Sequence, residues 1–87
     1  MAIKKHVHEM VEESKTRVEN LSVEQLKQEM AVGNVLVVDI RDVRERQKLG
    51  FIPGSVHVPR GMLEFWADPE SKYYRDFMKP EQRTALY

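Results

Sequence analysis

The run Val35-Leu36-Val37-Val38 constrains this chain more than any other feature. These aliphatic residues, mostly β-branched, stand in a row with no polar residue between them. Alternation would mark a strand wetted on one face, whereas continuous apolar character predicts a strand covered on both, as in the middle of a parallel sheet. Gly33-Asn34 stand just before it and tolerate the left-handed backbone on which a helix stops. Asp39-Ile40-Arg41 stand just after it, placing polar groups at the strand's carboxyl end. In an open parallel sheet, loops and helix N-termini converge on ligands at that end.

The flanking sequence supplies partners for such a strand. Asp42 to Gly50 reads as a short crossover helix, with Asp42 as cap, Val43 and Leu49 facing inward and Gly50 ending it. Phe51 to Ser55 forms a turn, and Val56-His57-Val58-Pro59 is a very short strand closed by its proline. Gly61 to Trp66 gives one helical turn or two, and Asp68-Pro69-Glu70 reads as a second helix start. Tyr73, Tyr74, Phe77 and Met78 follow at helical spacing, until Lys79-Pro80 breaks the pattern. Thr84-Ala85-Leu86-Tyr87 opens another buried strand.

Upstream, Ile3, Val7, Val11, Val18 and Leu21 recur at helical spacing and predict an amphipathic helix over residues 1–21, packed on its own domain. Ser22 with Gln25 has the spacing of a capping box for a second helix through Leu26 and Met30. Alternating helices and strands point to an α/β layered fold with a central parallel sheet, its domain spanning residues 22–87.

Composition narrows function mainly by exclusion. The 14 Lys plus Arg cancel the 14 Asp plus Glu, so no net field would recruit nucleic acid or an anionic membrane. No run approaches the roughly 18 apolar residues of a membrane span, and a cytoplasmic setting is expected. With no cysteine among the 87 residues, thiolate metal sites, disulfides and cysteine nucleophiles are all absent from this stretch. His6 and His8 lie on nearly opposite sides of a helix and His57 stands alone in a strand, so neither a metal nor a cofactor is expected.

Val37-Val38-Asp39-Ile40-Arg41, then Glu45, Gly50, Ile52-Pro53-Gly54 and Val56-His57-Val58-Pro59, resembles the first signature of the rhodanese-like family in order and spacing. Arg60 to Trp66 and Asp68-Pro69-Glu70-Ser71 resemble a bacterial single-domain subgroup, and the resemblance runs from Ser22 to Tyr87. It implies a three-layer rhodanese-like fold, of which this chain is the N-terminal part. It also implies a sulfurtransferase, in which a cysteine takes sulfur from a small anionic donor such as thiosulfate. The resulting persulfide passes its outer sulfur to a thiol or cyanide acceptor. The family's cysteine would come directly after the strand resembling Thr84-Ala85-Leu86-Tyr87, in a loop whose inward N–H groups activate the thiolate. Phe51 departs from the pattern, since members often carry His there.

Asp39, Arg41 and Arg60 are the polar groups expected to support a substrate site at the strand ends. Each also has a plainer reading. Asp39 would cap the next loop or pair with a neighbouring Arg, Arg41 would pair locally with Glu45, and Arg60 would stand exposed. The mixed stretch Arg41 to Arg46 reads as a solvated helix face, and Trp66, Phe65, Tyr73 and Tyr74 as core and pocket wall. Two rival functions share the fold: a non-catalytic rhodanese-homology module that binds a partner, and a cysteine phosphatase with a longer loop. Taken by itself, such a part would expose apolar surface and an unpaired strand edge. Association, for example as a homodimer, or completion by a second segment is then expected.

Overall fold

The computed structural model describes residues 2–87. In chain order it has α1 (Val7–Lys15), α2 (Val23–Val32), β1 (Leu36–Asp39), α3 (Val43–Leu49), β2 (Val56–His57), α4 (Leu63–Ala67) and β3 (Thr84–Leu86). Short 3₁₀ turns at Arg60–Met62 and Asp76–Met78 flank α4.

β1 is the central strand of a parallel sheet ordered β2-β1-β3. Val38 and Asp39 lie opposite Val56 and His57 on one side, and Leu36, Val37 and Val38 lie opposite Thr84, Ala85 and Leu86 on the other. The carboxyl ends of the three strands therefore lie together, as an α/β sheet requires of a site built there. Burial follows the pleat. Val38 is fully buried with Val58 and Met78, against Leu63, Trp66 and Ala67 of α4, while Val37 is buried on the opposite face. The expected two-sided cover of β1 is thus observed.

Local chemistry explains the helix limits. The Ser22 hydroxyl accepts from Gln25 N–H while the Gln25 side chain accepts from Ser22 N–H, a complete capping box. Gly33 ends α2 at φ 84°, the left-handed conformation that costs glycine least. Asp42 caps α3 by accepting from Arg44 N–H at 2.8 Å.

Three expectations are corrected. The N-terminal helix is only Val7–Lys15 rather than all of 1–21, and residues 2–20 are exposed throughout, Val7 and Val11 included. Side chains compete for its backbone at the end: Ser14 Oγ donates to Met10 O, Thr16 Oγ1 to Glu13 O, and the Asn20 amide to Lys15 O. The helix therefore stops before Val18 and does not pack on the domain. Around Asp68, likewise, the carboxylate accepts from Glu70 N–H and Ser71 Oγ from Tyr73 N–H, so turns replace the expected helix. Finally, Val43 and Leu49 of α3 are exposed. The residue that α3 turns inward is Arg46.

No helix among the described residues is long and apolar enough to cross a membrane.

Candidate functional site

β1 carries Asp39 to the carboxyl end of the sheet and buries it completely. A buried carboxylate is costly unless every lone pair is engaged, and here two cations supply the donors. Arg41 grips it with Nε to Oδ1 and Nη2 to Oδ2, both at 3.0 Å, and its own N–H adds a third bond to Oδ1 at 3.0 Å. Arg46, brought back by the first turns of α3, donates from Nη1 to Oδ2 at 3.0 Å. These bonds, that from the Arg41 side chain foremost, outweigh desolvation and hold the Asp39 carboxyl far below the usual carboxylate range. The same pairing raises Arg41.

The cluster extends from this carboxylate into the turn before β2. Arg46 Nη1 donates to Ser55 Oγ at 3.1 Å and Nη2 to Ser55 O at 3.3 Å, while its guanidinium lies 3.9 Å from the centre of the Phe51 ring. Arg41 Nη2 also donates to Gly50 O at 2.7 Å, and the Arg41 carbonyl accepts from His57 Nε2 at 2.8 Å. Tyr87, at the end of β3, completes the set. Its hydroxyl accepts from Ile52 N–H at 3.0 Å and lies 3.2 Å from Ser55 Oγ, with Arg41 5.2 Å from its ring centre. The ends of all three strands are thereby tied into one polar cluster.

Asp39 and Arg41 are brought together, as a pair that also fastens the following loop. The alternative Arg41–Glu45 pair is not formed, because Arg41 turns back to Asp39. Arg60 stands apart. It follows Pro59 in a 3₁₀ turn, is mostly exposed, and pairs with Glu64 rather than with either of the others. Arg46, Ser55 and Tyr87 escaped the sequence reading. Arg46 belongs to the mixed stretch Arg41 to Arg46, which reads from sequence as a solvated helix face. Its one signal is its position a turn into a helix that follows a buried carboxylate. Ser55 and Tyr87 carry no such signal.

Chemically, Asp39 with its lone pairs taken and its charge pinned has no proton affinity to use near neutrality. What the cluster can do is fix the loops that leave the strands, with two guanidinium groups facing one carboxylate. A cavity of about 790 Å³ lies beside the cluster, between residues 18–26 and β3, and is lined by Leu21, Leu26, Val35, Ile52, Leu86 and Tyr87 among others. It touches the cluster only through Ile52 and Tyr87 and does not include Asp39, Arg41 or Arg60. Among the described residues no group of three His, Cys, Asp or Glu is placed to hold a metal ion.

Residues 22–87 match the family model for the rhodanese-like domain. The chain belongs to the rhodanese-like family. A solved structure from Rhodopseudomonas palustris, a protein of unknown function described as a possible tyrosine phosphatase, is similar at 34% identity. It superposes with a TM-score of 0.89 over 100% of this chain and 67% of its own. No curated protein matches. The rhodanese-like match starts at the capping Ser22 and leaves α1 outside it, whereas the superposition takes in α1 as well.

Proposed function

We propose that this rhodanese-like domain serves a sulfurtransferase whose reactive cysteine follows Tyr87. One observation carries the reading: three parallel strands run to a common end, and the last of them, β3, leads into Tyr87, which is bonded to the end of β1 and to the turn before β2. A loop leaving that point would turn its N–H groups toward a common centre, which lowers a thiol's pKa and holds an anionic sulfur. The cysteine thiolate would attack the outer sulfur of thiosulfate, breaking the S–S bond and releasing sulfite. Cyanide or a thiol would then take that sulfur and return the thiolate. Asp39 and Arg41 support the loops, and Arg60 at the rim meets the anionic donor once it parts from Glu64. The setting would be cytoplasmic and the donor small and soluble.

The test is thiosulfate:cyanide transfer by the polypeptide extended through the segment after Tyr87. Thiocyanate should form, and Arg60→Ala should raise KM for thiosulfate several-fold while leaving the melting midpoint in place. Absence of thiocyanate would sink the sulfurtransferase. A second reading, phosphate-ester hydrolysis, is favoured by the description of the Rhodopseudomonas palustris protein as a possible tyrosine phosphatase. Hydrolysis of p-nitrophenyl phosphate without thiocyanate formation would select it, and neither activity would select a non-catalytic binding module.

A further inference from the structure

Tyr87 is held from two sides at the strand ends. On the β1 side its backbone is pinned by Tyr87 N–H to Val38 O at 3.0 Å and by Ile40 N–H to Tyr87 O at 2.9 Å. On the other side its phenol crosses to the turn that precedes β2, where the hydroxyl accepts from Ile52 N–H and faces Ser55 Oγ. Ser55 is itself held by Arg46 through both its hydroxyl and its carbonyl, and Arg46 is anchored on buried Asp39. The position and direction in which the backbone leaves β3 are therefore set by residues from three separate parts of the sequence.

A simple packing role would not need this arrangement. Tyr87 is only partly buried, lies outside the apolar cluster of Val38, Val58 and Met78, and spends its hydroxyl on a backbone N–H from a turn 35 residues away. Such a link constrains the relative placement of two loops. Placement is what a site built from backbone N–H groups depends on, since a misplacement on the order of 1 Å can cost up to about a hundredfold in rate.

We infer that Tyr87 and Ser55 are positioning residues: the phenol–hydroxyl link fixes the exit of β3, and with it the loop that would hold the reactive sulfur. This rests on the sulfurtransferase reading. Their polar groups are engaged with one another, Ile52 and Arg46 rather than offered to a donor, so the rate of transfer should suffer and donor affinity should not.

The experiment measures thiosulfate:cyanide transfer by the polypeptide extended past Tyr87, comparing wild type with Tyr87→Phe and Ser55→Ala. Tyr87→Phe deletes one oxygen and keeps the ring under Arg41. It should lower kcat about tenfold while KM for thiosulfate changes less than about twofold. Ser55→Ala, which leaves the Ile52 bond intact, should lower kcat by a smaller factor in the same pattern, and both variants should remain folded at the assay temperature by circular dichroism. Lowered melting midpoints with kcat unchanged in both variants would overturn the inference and leave the sulfurtransferase standing. An inactive wild type would overturn the sulfurtransferase and the inference with it.

Discussion

Two arginine–carboxylate clusters bracket the sheet, and they are opposites in stoichiometry and in burial. At the carboxyl end of β1, one carboxylate, Asp39, is shared by two arginines. Asp39 is wholly buried and the arginine side chains are 23% and 16% exposed. At the amino end of β3, one arginine, Arg83, is shared by two carboxylates, Glu19 and Glu29, with side chains 43%, 62% and 22% exposed. The Asp39 cluster is drawn from neighbouring residues and the Arg83 cluster from distant ones, yet the hydrogen bond from Arg83 lowers the Glu29 pKa as that from Arg41 lowers the Asp39 pKa. Water separates them in consequence. The Arg83 cluster can exchange its partners for solvent at little cost, whereas the Asp39 cluster has no solvent to fall back on.

The largest effect should come from Asp39→Asn, which keeps the shape and removes the charge. It leaves two partly buried guanidinium groups facing a neutral amide, and the expected loss is about 3–5 kcal/mol by urea denaturation. A loss below about 1 kcal/mol would erase the distinction between the two clusters. Acid should act on the same group. The folded carboxyl has a lower pKa than the unfolded one, so its contribution is complete above the unfolded value of about 3.9. It is then lost as the pH falls toward the folded value. Stability of the wild type should drop over that window, and the drop should be shallower in Asp39→Asn. Identical acid profiles would place the titration elsewhere.

Arg46→Met should come next, at about 2 kcal/mol, since Asp39 keeps Arg41 while the links to Ser55 and the Phe51 ring are lost. A heteronuclear NMR spectrum should show the Ile52, Gly54 and Ser55 amides shifting most, and shifts confined to α3 would break the proposed path to Tyr87. Arg83→Ala should change least. Its small shift in melting midpoint should vanish in about 1 M salt, where screening acts over about 3 Å. A shift that matched Asp39→Asn and survived salt would mean that exposure is not what separates the clusters.

These clusters also mark where sequence reasoning stopped. Elements specified by local chemistry were legible: the capping box of Ser22 and Gln25, the left-handed stop at Gly33, the cap at Asp42, and the uninterrupted aliphatic run of β1. The central place of β1 in a parallel sheet followed from that run. Helical spacing misled wherever side chains could bond the backbone instead, as Ser14, Thr16 and Asn20 do around the end of α1, and Asp68 and Ser71 do after α4. Side-chain pairing beyond the nearest arginine was not legible. Nothing in a stretch of alternating charges says that Arg46 leaves its neighbours for Asp39, or that Arg83 finds Glu19 and Glu29, because those choices are made by burial that only the assembled sheet creates.

The central strand meets its two neighbours after very different lengths of chain. Val56 reaches Val38 after one short helix and a turn, whereas Leu86 arrives only once residues 58–83 have found their course over the sheet. Longer excursions cost more chain entropy and delay pairing, so β1, α3 and β2 are expected to assemble before β3 docks. Quenched hydrogen labelling, comparing the Val58 amide with the Tyr87 amide, would reveal that order. A nascent chain would then hold Asp39 between its arginines while the third strand was still searching, and Tyr87 would close the cluster only once that strand had docked.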